Sequence, residues 1–231
     1  MMFQGFSEKT GAFLWELAFH NERPWFQAHK QEFEDEVNTP FKALARDCYE
    51  LFCRRCPAFE GRVHISRIYR DARRLFGRGP YKDHLWFSIG ASEVTGPGPD
   101  FWFLLEPARC SYGLGFFEAP PVLMAAFRRA VDANPARFRR LARAVEAKGF
   151  SLGGPAYKRP KGLHGDPLID RWYNRRHLYL EKSFDLGGAA FTPELPQLVT
   201  DAFLELLPMH DFLMEVYRSC AAERAGKQES T

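Results

Sequence analysis

The feature that most restricts the fold is a change in hydrophobic period between residues 62 and 119. Four short runs in this stretch are rich in β-branched and aromatic residues, and Gly and Pro separate them. On both sides, apolar residues recur at the three- and four-residue spacing of amphipathic helices. This order predicts the α+β class, with an antiparallel meander flanked by N-terminal and C-terminal helices. The four runs are RVHISRIYRD, HLWFSIGAS, DFWFLLEPA and SYGLGFFEA.

The 231 residues are expected to form a single domain, because no linker is long enough to require a division. Pro24 suits the first turn of a helix, and Pro40 is expected to end or bend that helix. The predicted order is helical for 1–60, mainly strands for 61–120, helical for 121–150, loop and strand for 151–190, and helical for 191–222.

Several classes of protein are excluded by composition. No window approaches the ~20 continuous apolar residues of a membrane span, so no membrane partner is expected. The opening MMFQGFSEKTG lacks the basic and apolar regions of a secretion signal. Five cysteines at scattered spacings fit a reducing compartment better than a disulfide framework. A cytoplasmic location is therefore predicted.

The net charge of +3 is distributed unevenly along the chain. Residues 61–90 carry seven basic and two acidic side chains, and residues 128–161 carry ten and two, whereas the intervening and terminal segments are acidic. Two interpretations stay open: solvated faces that complement one another, or two segments that converge on one concave surface and concentrate anions. A nucleic-acid-binding role is a weaker alternative, because such domains are usually more basic overall.

The densest chemical segment extends from Arg67 to Lys82. Strand geometry places Arg67 and Asp71 on one face and Arg70 on the other. One carboxylate cannot neutralise several guanidinium groups, and the guanidinium fork suits a phosphate or carboxylate. The alternative is that Asp71 forms an ion pair with Arg70 or Arg73 and organises the fold. The predicted binding residues of this segment are Arg67, Arg70, Arg73, Tyr81 and Lys82.

Two further segments supply candidate residues. Arg23 and Trp25 stand at a predicted helix start, where anions are favoured. One turn later, His29 is predicted to donate or accept a proton, with Asp71 as the second catalytic candidate; the alternative for His29 is packing. Lys158 and Lys161, in a proline-restrained loop, are expected to close over a phosphate, unless this is simply a solvated loop.

No metal site is predicted. Cys53 and Cys56 have C-x-x-C spacing, but no second pair stands at the distance that zinc ligands require. The nucleotide-binding motif G-x-x-x-x-G-K-[ST] is absent from the sequence. The residues identify neither a cofactor nor an oligomeric state.

Three patches of the chain resemble, in order, motifs of a widespread bacterial and fungal family catalogued as domain of unknown function 2461. They match N-x-R-x-W-F-x-x-H-K from Asn21, R-x-x-R-D-x-R-F with K-x-x-Y-K from Arg67, and K-R-x-P-K-G from Lys158. The resemblance implies a single α+β domain without an established activity. Two positions depart from the motifs: Arg74 replaces an aromatic residue and Arg78 a lysine. Both departures keep or add positive charge.

Together these features favour a small anionic partner, bearing phosphate or carboxylate, as the ligand of an Arg/Lys/aromatic pocket. A transferase or hydrolase would use the same cations to stabilise developing charge. A protein-interaction or scaffold domain with a purely structural signature, and a nucleic-acid-binding module, are the alternatives.

Overall fold

The computed structural model describes residues 2–71, 73 and 79–228, so Arg74 and Arg78 lie outside the described residues. Nine α-helices and six strands follow one another within these ranges. In chain order they are α1 (Glu8–Phe19), α2 (Arg23–Ala28), α3 (Lys30–Phe33), α4 (Thr39–Arg55), β1 (Gly61–Ile65), β2 (Leu85–Ala91), β3 (Pro99–Leu105), β4 (Arg109–Phe116), α5 (Pro121–Ala133), α6 (Pro135–Ala147), β5 (Ser151–Gly153), α7 (Pro167–Tyr173), β6 (Tyr179–Asp185), α8 (Leu195–Glu205) and α9 (Leu207–Gln228).

The strands form one antiparallel sheet in the order β1-β2-β3-β4-β6-β5. The four strands of the predicted meander are therefore neighbours, and the predicted α+β class is confirmed. The last predicted strand, β6, lies between β4 and β5, and Ser151 of β5 pairs with Glu181 of β6. The three-residue strand β5 was not predicted separately, because so short a run carries no period.

The chain divides into two compact units. The first comprises Met1–Ile89, Trp102–Tyr112 and Ser183–Ala202, and the second comprises Gly90–Phe101, Gly113–Lys182 and Phe203–Thr231. The expectation of a single domain stays a prediction. Among the described residues, no helix combines the length and the apolar character needed to cross a membrane.

The first unit is built around aromatic residues. Phe87 stacks on Phe103 with ring centroids 5.5 Å apart, and Phe41 of α4 meets Phe87 edge-on at 5.8 Å. Pro24 lies in the first turn of α2, as predicted. A π-helical turn, Glu34–Asn38, separates α3 from α4, and Pro40 lies in the first turn of α4, where its missing N–H would have no partner within the helix.

The second unit has a separate aromatic cluster. Phe138 of α6 contacts Phe127 at 5.5 Å, Trp172 at 5.4 Å and Phe212 at 5.5 Å, measured between ring centroids. All four side chains are buried. This cluster joins α5, α6, α7 and α9, and it leaves the polar faces of α5 and α7 to carry charged side chains.

Candidate functional site

Tyr81 is the centre of the signature region in the first unit. The backbone N–H of Arg70 donates to Pro80 O (2.8 Å), and that of Lys82 donates to Ile68 O (2.7 Å), so Tyr69 and Tyr81 form an antiparallel bridge. In this register the N–H and C=O groups of Tyr81 point away from the paired segment. They therefore need partners elsewhere.

The side-chain amide of Asn21 supplies both partners. Its Nδ2 donates to Tyr81 O at 2.9 Å, and its Oδ1 accepts from Tyr81 N at 2.9 Å. We call this pair of hydrogen bonds the Asn21 clamp. A Cβ atom on Gly79 would lie 2.3 Å from Asn21 Oδ1, so the glycine leaves room for the clamp. The clamp thus joins two of the patches that resemble the family motifs, the one that begins at Asn21 and the one that contains Tyr81.

The side chain of Tyr81 lies in the core. The sequence, in contrast, predicts Tyr81 as a residue that contacts the ligand. The residue is only 1% exposed, and its ring stacks on Phe26 with centroids 4.1 Å apart. Burial raises the pKa of the Tyr81 phenol; the neighbouring Tyr69 also raises it, whereas the charge of Arg23 lowers it. Tyr81 therefore positions its neighbours through packing and backbone bonds.

Arg70 and Lys82 are two cations on the same face of this paired segment. Arg70 Nε donates to Tyr81 O at 2.7 Å, and the Arg70 side chain is only 16% exposed. Lys82 is also partly covered. Partial burial lowers the pKa of Lys82, and the positive charge of Arg70 lowers it further. The two like charges are therefore held close enough to interact.

The nearest carboxylate belongs to Asp83 and is already engaged. Its Oδ1 lies 3.9 Å from Arg70 Nη2 but only 2.9 Å from His84 Nδ1. Partial burial acts to raise the pKa of Asp83, but the His84 hydrogen bond, a backbone hydrogen bond and the charges of His84 and Arg70 together lower it below its usual range. The Asp83 carboxylate is thus shared between His84 and Arg70.

Asp71 and Arg73 form the ion pair that the sequence analysis left open as an alternative. Arg73 Nε and Nη2 donate to the two carboxylate oxygens at 3.1 and 2.9 Å, and the Arg73 backbone N–H adds a third bond at 3.0 Å. The Arg73 side chain is 88% exposed. The hydrogen bond to Asp71 raises the pKa of Arg73. This geometry gives Asp71 a role in the turn.

His29 stands at the end of α2 with one nitrogen fixed. Its Nδ1 lies 2.8 Å from the Trp25 carbonyl oxygen, and its ring stacks on Trp25 at 4.2 Å. A carbonyl oxygen only accepts, so Nδ1 carries the hydrogen and Nε2 is the acceptor of the neutral ring. No partner of Nε2 is found in the part of the chain that the structure describes. The ring therefore packs and also presents a proton acceptor.

Arg23 and Arg67 are exposed cations of the same unit. Neither side chain has a hydrogen bond or ion pair within the described ranges 2–71, 73 and 79–228. Arg67, Tyr69 and Asp71 are exposed while Arg70 is largely covered, which confirms the alternation expected of a strand.

The two lysines of the third patch belong to the second unit. Lys158 is exposed, and Lys161 Nζ lies 4.8 Å from the centroid of the Tyr157 ring. Asn174 accepts from Lys161 N at 2.6 Å and donates to Gly162 O at 3.0 Å. The loop is thus tied to the end of α7. Convergence of these lysines with the cations of the first unit stays a prediction.

Much of the basic stretch 128–161 is neutralised internally, which weakens the nucleic-acid interpretation. Glu215 and Glu223 of α9 lie far from it in sequence, so the charge pattern alone did not reveal these pairs. The ion pairs are Arg129–Glu223 (2.6 Å), Arg137–Glu215 (2.7 Å), Arg139–Asp166 (2.5 Å) and Lys148–Glu205 (3.1 Å).

Sequence reasoning also missed Arg128, whose guanidinium lies over the rings of Tyr157 and Tyr173. No local pattern brings these three residues together. Within the described ranges, no group of three or more His, Cys, Asp or Glu side chains is arranged to hold a metal ion.

The chain is similar to a family of conserved hypothetical proteins. A family model described as "Conserved hypothetical protein (DUF2461)" matches residues 9–212, which include all three motif patches. A search of the curated proteins finds none that matches the chain.

Proposed function

The chain belongs to the family of conserved hypothetical proteins described as DUF2461, and we propose that its first unit binds a small anionic ligand bearing a phosphate or carboxylate group. One observation carries the proposal: Arg70 and Lys82 stand on the same face of the paired segment and are partly buried, and the described carboxylate that lies within 4 Å of Arg70 is closer to His84. Like charges held together in this way repel each other, and a bound anion removes the repulsion.

The cations around this pair fit such a ligand. Arg70 uses Nε for the Tyr81 carbonyl, so its terminal nitrogens are directed to other partners. A guanidinium edge recognises two oxygens of one phosphate or carboxylate, whereas the Lys82 ammonium adds a point charge. The exposed Arg23 and Arg67 supply long-range attraction, which raises the rate of encounter with an anion.

His29 adds a chemical capability to the same proposal. Its neutral ring presents Nε2 as an acceptor, because the Trp25 carbonyl holds the hydrogen on Nδ1. In a phosphoryl or acyl transfer or hydrolysis, we assign proton transfer to His29 and charge stabilisation to Arg70 and Lys82. Asp71, the other catalytic candidate, is less suited because Arg73 engages both of its oxygens.

The test compares two variants of the full chain in a screen of phosphorylated and carboxylated metabolites. Arg67→Gln with Lys82→Gln removes two cations that make no hydrogen bond to another described side chain, so the fold is expected to persist. Lys42→Gln, an exposed lysine of α4, is the control. Thermal shift and calorimetry at fixed ionic strength give the affinities.

The expected result is a compound that stabilises the wild type and the control equally and binds the double variant about tenfold or more weakly. At a free concentration of about 100 times its Kd, such a ligand raises the free energy of unfolding by about 2.7 kcal/mol. The proposal fails if no compound stabilises the wild type more than the double variant. Turnover of a bound ester that is lost in His29→Gln supports the catalytic assignment, and binding without turnover refutes it.

A structural role of the signature, in a protein-interaction or scaffold domain, is the second candidate function. It is favoured by the Asn21 clamp and by the Asp71–Arg73 pair, both of which join signature residues to one another. On this interpretation Asp71→Ala lowers the melting temperature strongly, whereas the ligand-binding proposal expects the exposed pair to contribute little to stability. Thermal unfolding of Asp71→Ala distinguishes the two.

A further inference from the structure

Two cations of the second unit lie against the ring of Tyr157. The Arg128 guanidinium carbon lies 5.7 Å from the centroid of Tyr157, and Lys161 Nζ lies 4.8 Å from the same centroid. The guanidinium is also 5.9 Å from the centroid of Tyr173. Cation–π attraction favours these positions, and no side-chain N–H group of either cation has an acceptor among the residues that the structure describes.

Arg128 has a buried hydrogen-bond donor that is unpaired within the described residues. Its Nη1 is buried and has no hydrogen-bond partner in the described part of the chain. Buried donors of folded proteins are almost always paired, and a charged donor is the most costly to leave unpaired. This nitrogen is therefore a donor that an acceptor from outside the chain, such as water or an anion, can satisfy.

The carboxylates of the neighbouring elements are bound to other groups. Asp132, one turn after Arg128, has one oxygen 2.8 Å from His164 Nε2 and accepts from the Tyr173 hydroxyl at 3.0 Å with the other. Asp170 accepts from the His164 backbone at 2.7 Å. No carboxylate within the described residues forms an ion pair with Arg128 or Lys161.

We propose that Arg128, Lys161 and Tyr157 form a binding site for a phosphate group. Two positive charges without a carboxylate partner suit a dianion better than a monocarboxylate. Lys161 is exposed, so its ammonium group can turn toward a ligand that contacts Arg128. The backbone of Lys161 is already fixed by Asn174, and little order has to be gained on binding. This site uses other residues than the proposed function and does not depend on it.

The experiment titrates the full chain with inorganic phosphate at constant ionic strength and measures affinity and stoichiometry by calorimetry. Lys161→Gln is the main variant, because it leaves Arg128 packed between the tyrosines; Arg128→Gln is the second. Arg140→Gln with Arg143→Gln is the control, since it removes exposed charge from α6 in the same basic stretch. Acetate at equal ionic strength distinguishes a phosphate site from a general carboxylate site.

We expect phosphate affinity to fall about tenfold or more in Lys161→Gln and in Arg128→Gln, and to stay within about twofold in the control. Acetate is expected to bind about tenfold more weakly than phosphate. The inference is overturned if both variants bind phosphate like the wild type, if the control loses as much affinity, or if acetate binds equally well. If only Arg67→Gln with Lys82→Gln abolishes phosphate binding, this inference fails and the proposed function stands; retention of a phosphate site in that variant supports the inference.

Discussion

Removal of the Asn21 clamp is expected to destabilise the first unit more than its two hydrogen bonds alone suggest. In Asn21→Ala, Tyr81 O keeps the bond from Arg70 Nε, but Tyr81 N–H loses its acceptor in a residue that is 1% exposed. Loss of the bond to Tyr81 O costs about 1 kcal/mol, and loss of the bond from Tyr81 N–H, which leaves a buried donor unpaired, costs ~1–3 kcal/mol. The free energy of unfolding should fall by about 2–4 kcal/mol, a large fraction of a typical stability of about 5–15 kcal/mol.

Urea unfolding followed by circular dichroism measures this change. If the slope of the unfolding free energy against urea concentration is unaltered, the variant exposes as much surface on unfolding as the wild type does. Asn38→Ala is a matched control, because Asn38 Nδ2 makes a single part-buried bond to Glu34 in the π-helical turn. Asn21→Asp keeps the acceptor for Tyr81 N–H but sets a carboxylate oxygen against Tyr81 O, so it should be at least as destabilising as alanine. The reasoning is refuted if Asn21→Ala loses no more stability than Asn38→Ala.

Three further predictions concern single positions. Gly79→Ala should lower the melting temperature by several degrees because its Cβ collides with the clamp, whereas Gly187→Ala, with open space around it, should be neutral; thermal unfolding compares them. Burial lowers the pKa of His210 despite the opposing charge of Asp211, so stability is lost as the pH falls below about 6.5. In His210→Phe, the free energy of unfolding should therefore fall less between about pH 7 and pH 5 than in the wild type. An unchanged dependence on pH contradicts this prediction. Burial raises the pKa of Cys110 to about 12, so native thiol labelling near pH 8 should leave it unmodified, and rapid modification would show that the site opens.

In the first unit, the segment that the Asn21 clamp fixes also carries cations of the proposed binding site. Asn21, Tyr81 and the backbone of Arg70 fix the paired segment, and the same segment carries Lys82 beside the Arg70 guanidinium. Variants of Arg67 and Lys82 therefore separate ligand binding from stability, whereas variants of Asn21 and Tyr81 combine the two effects.

Local pattern predicted the α+β class and the four neighbouring strands, but it missed helix α7 (Pro167–Tyr173), which lies in the segment 151–190 predicted as loop and strand. The period of apolar residues, the prolines at the starts of α2 and α4, and the exposure of Arg67 against the covered Arg70 all follow from backbone geometry within a few residues. These properties depend only on near neighbours, so the sequence carries them directly.

Partners that lie far apart in the chain were decided by tertiary packing. Nothing in the sequence near Tyr81 shows that its ring is buried against Phe26 or that Asn21 completes its backbone bonds. Arg128 meets Tyr157 for the same reason. A side chain reaches only a few ångströms, so the packing of distant elements decides which charges are neutralised. The local sequence therefore determines where cations stand in the chain. Only the folded chain determines which of these cations lack a partner.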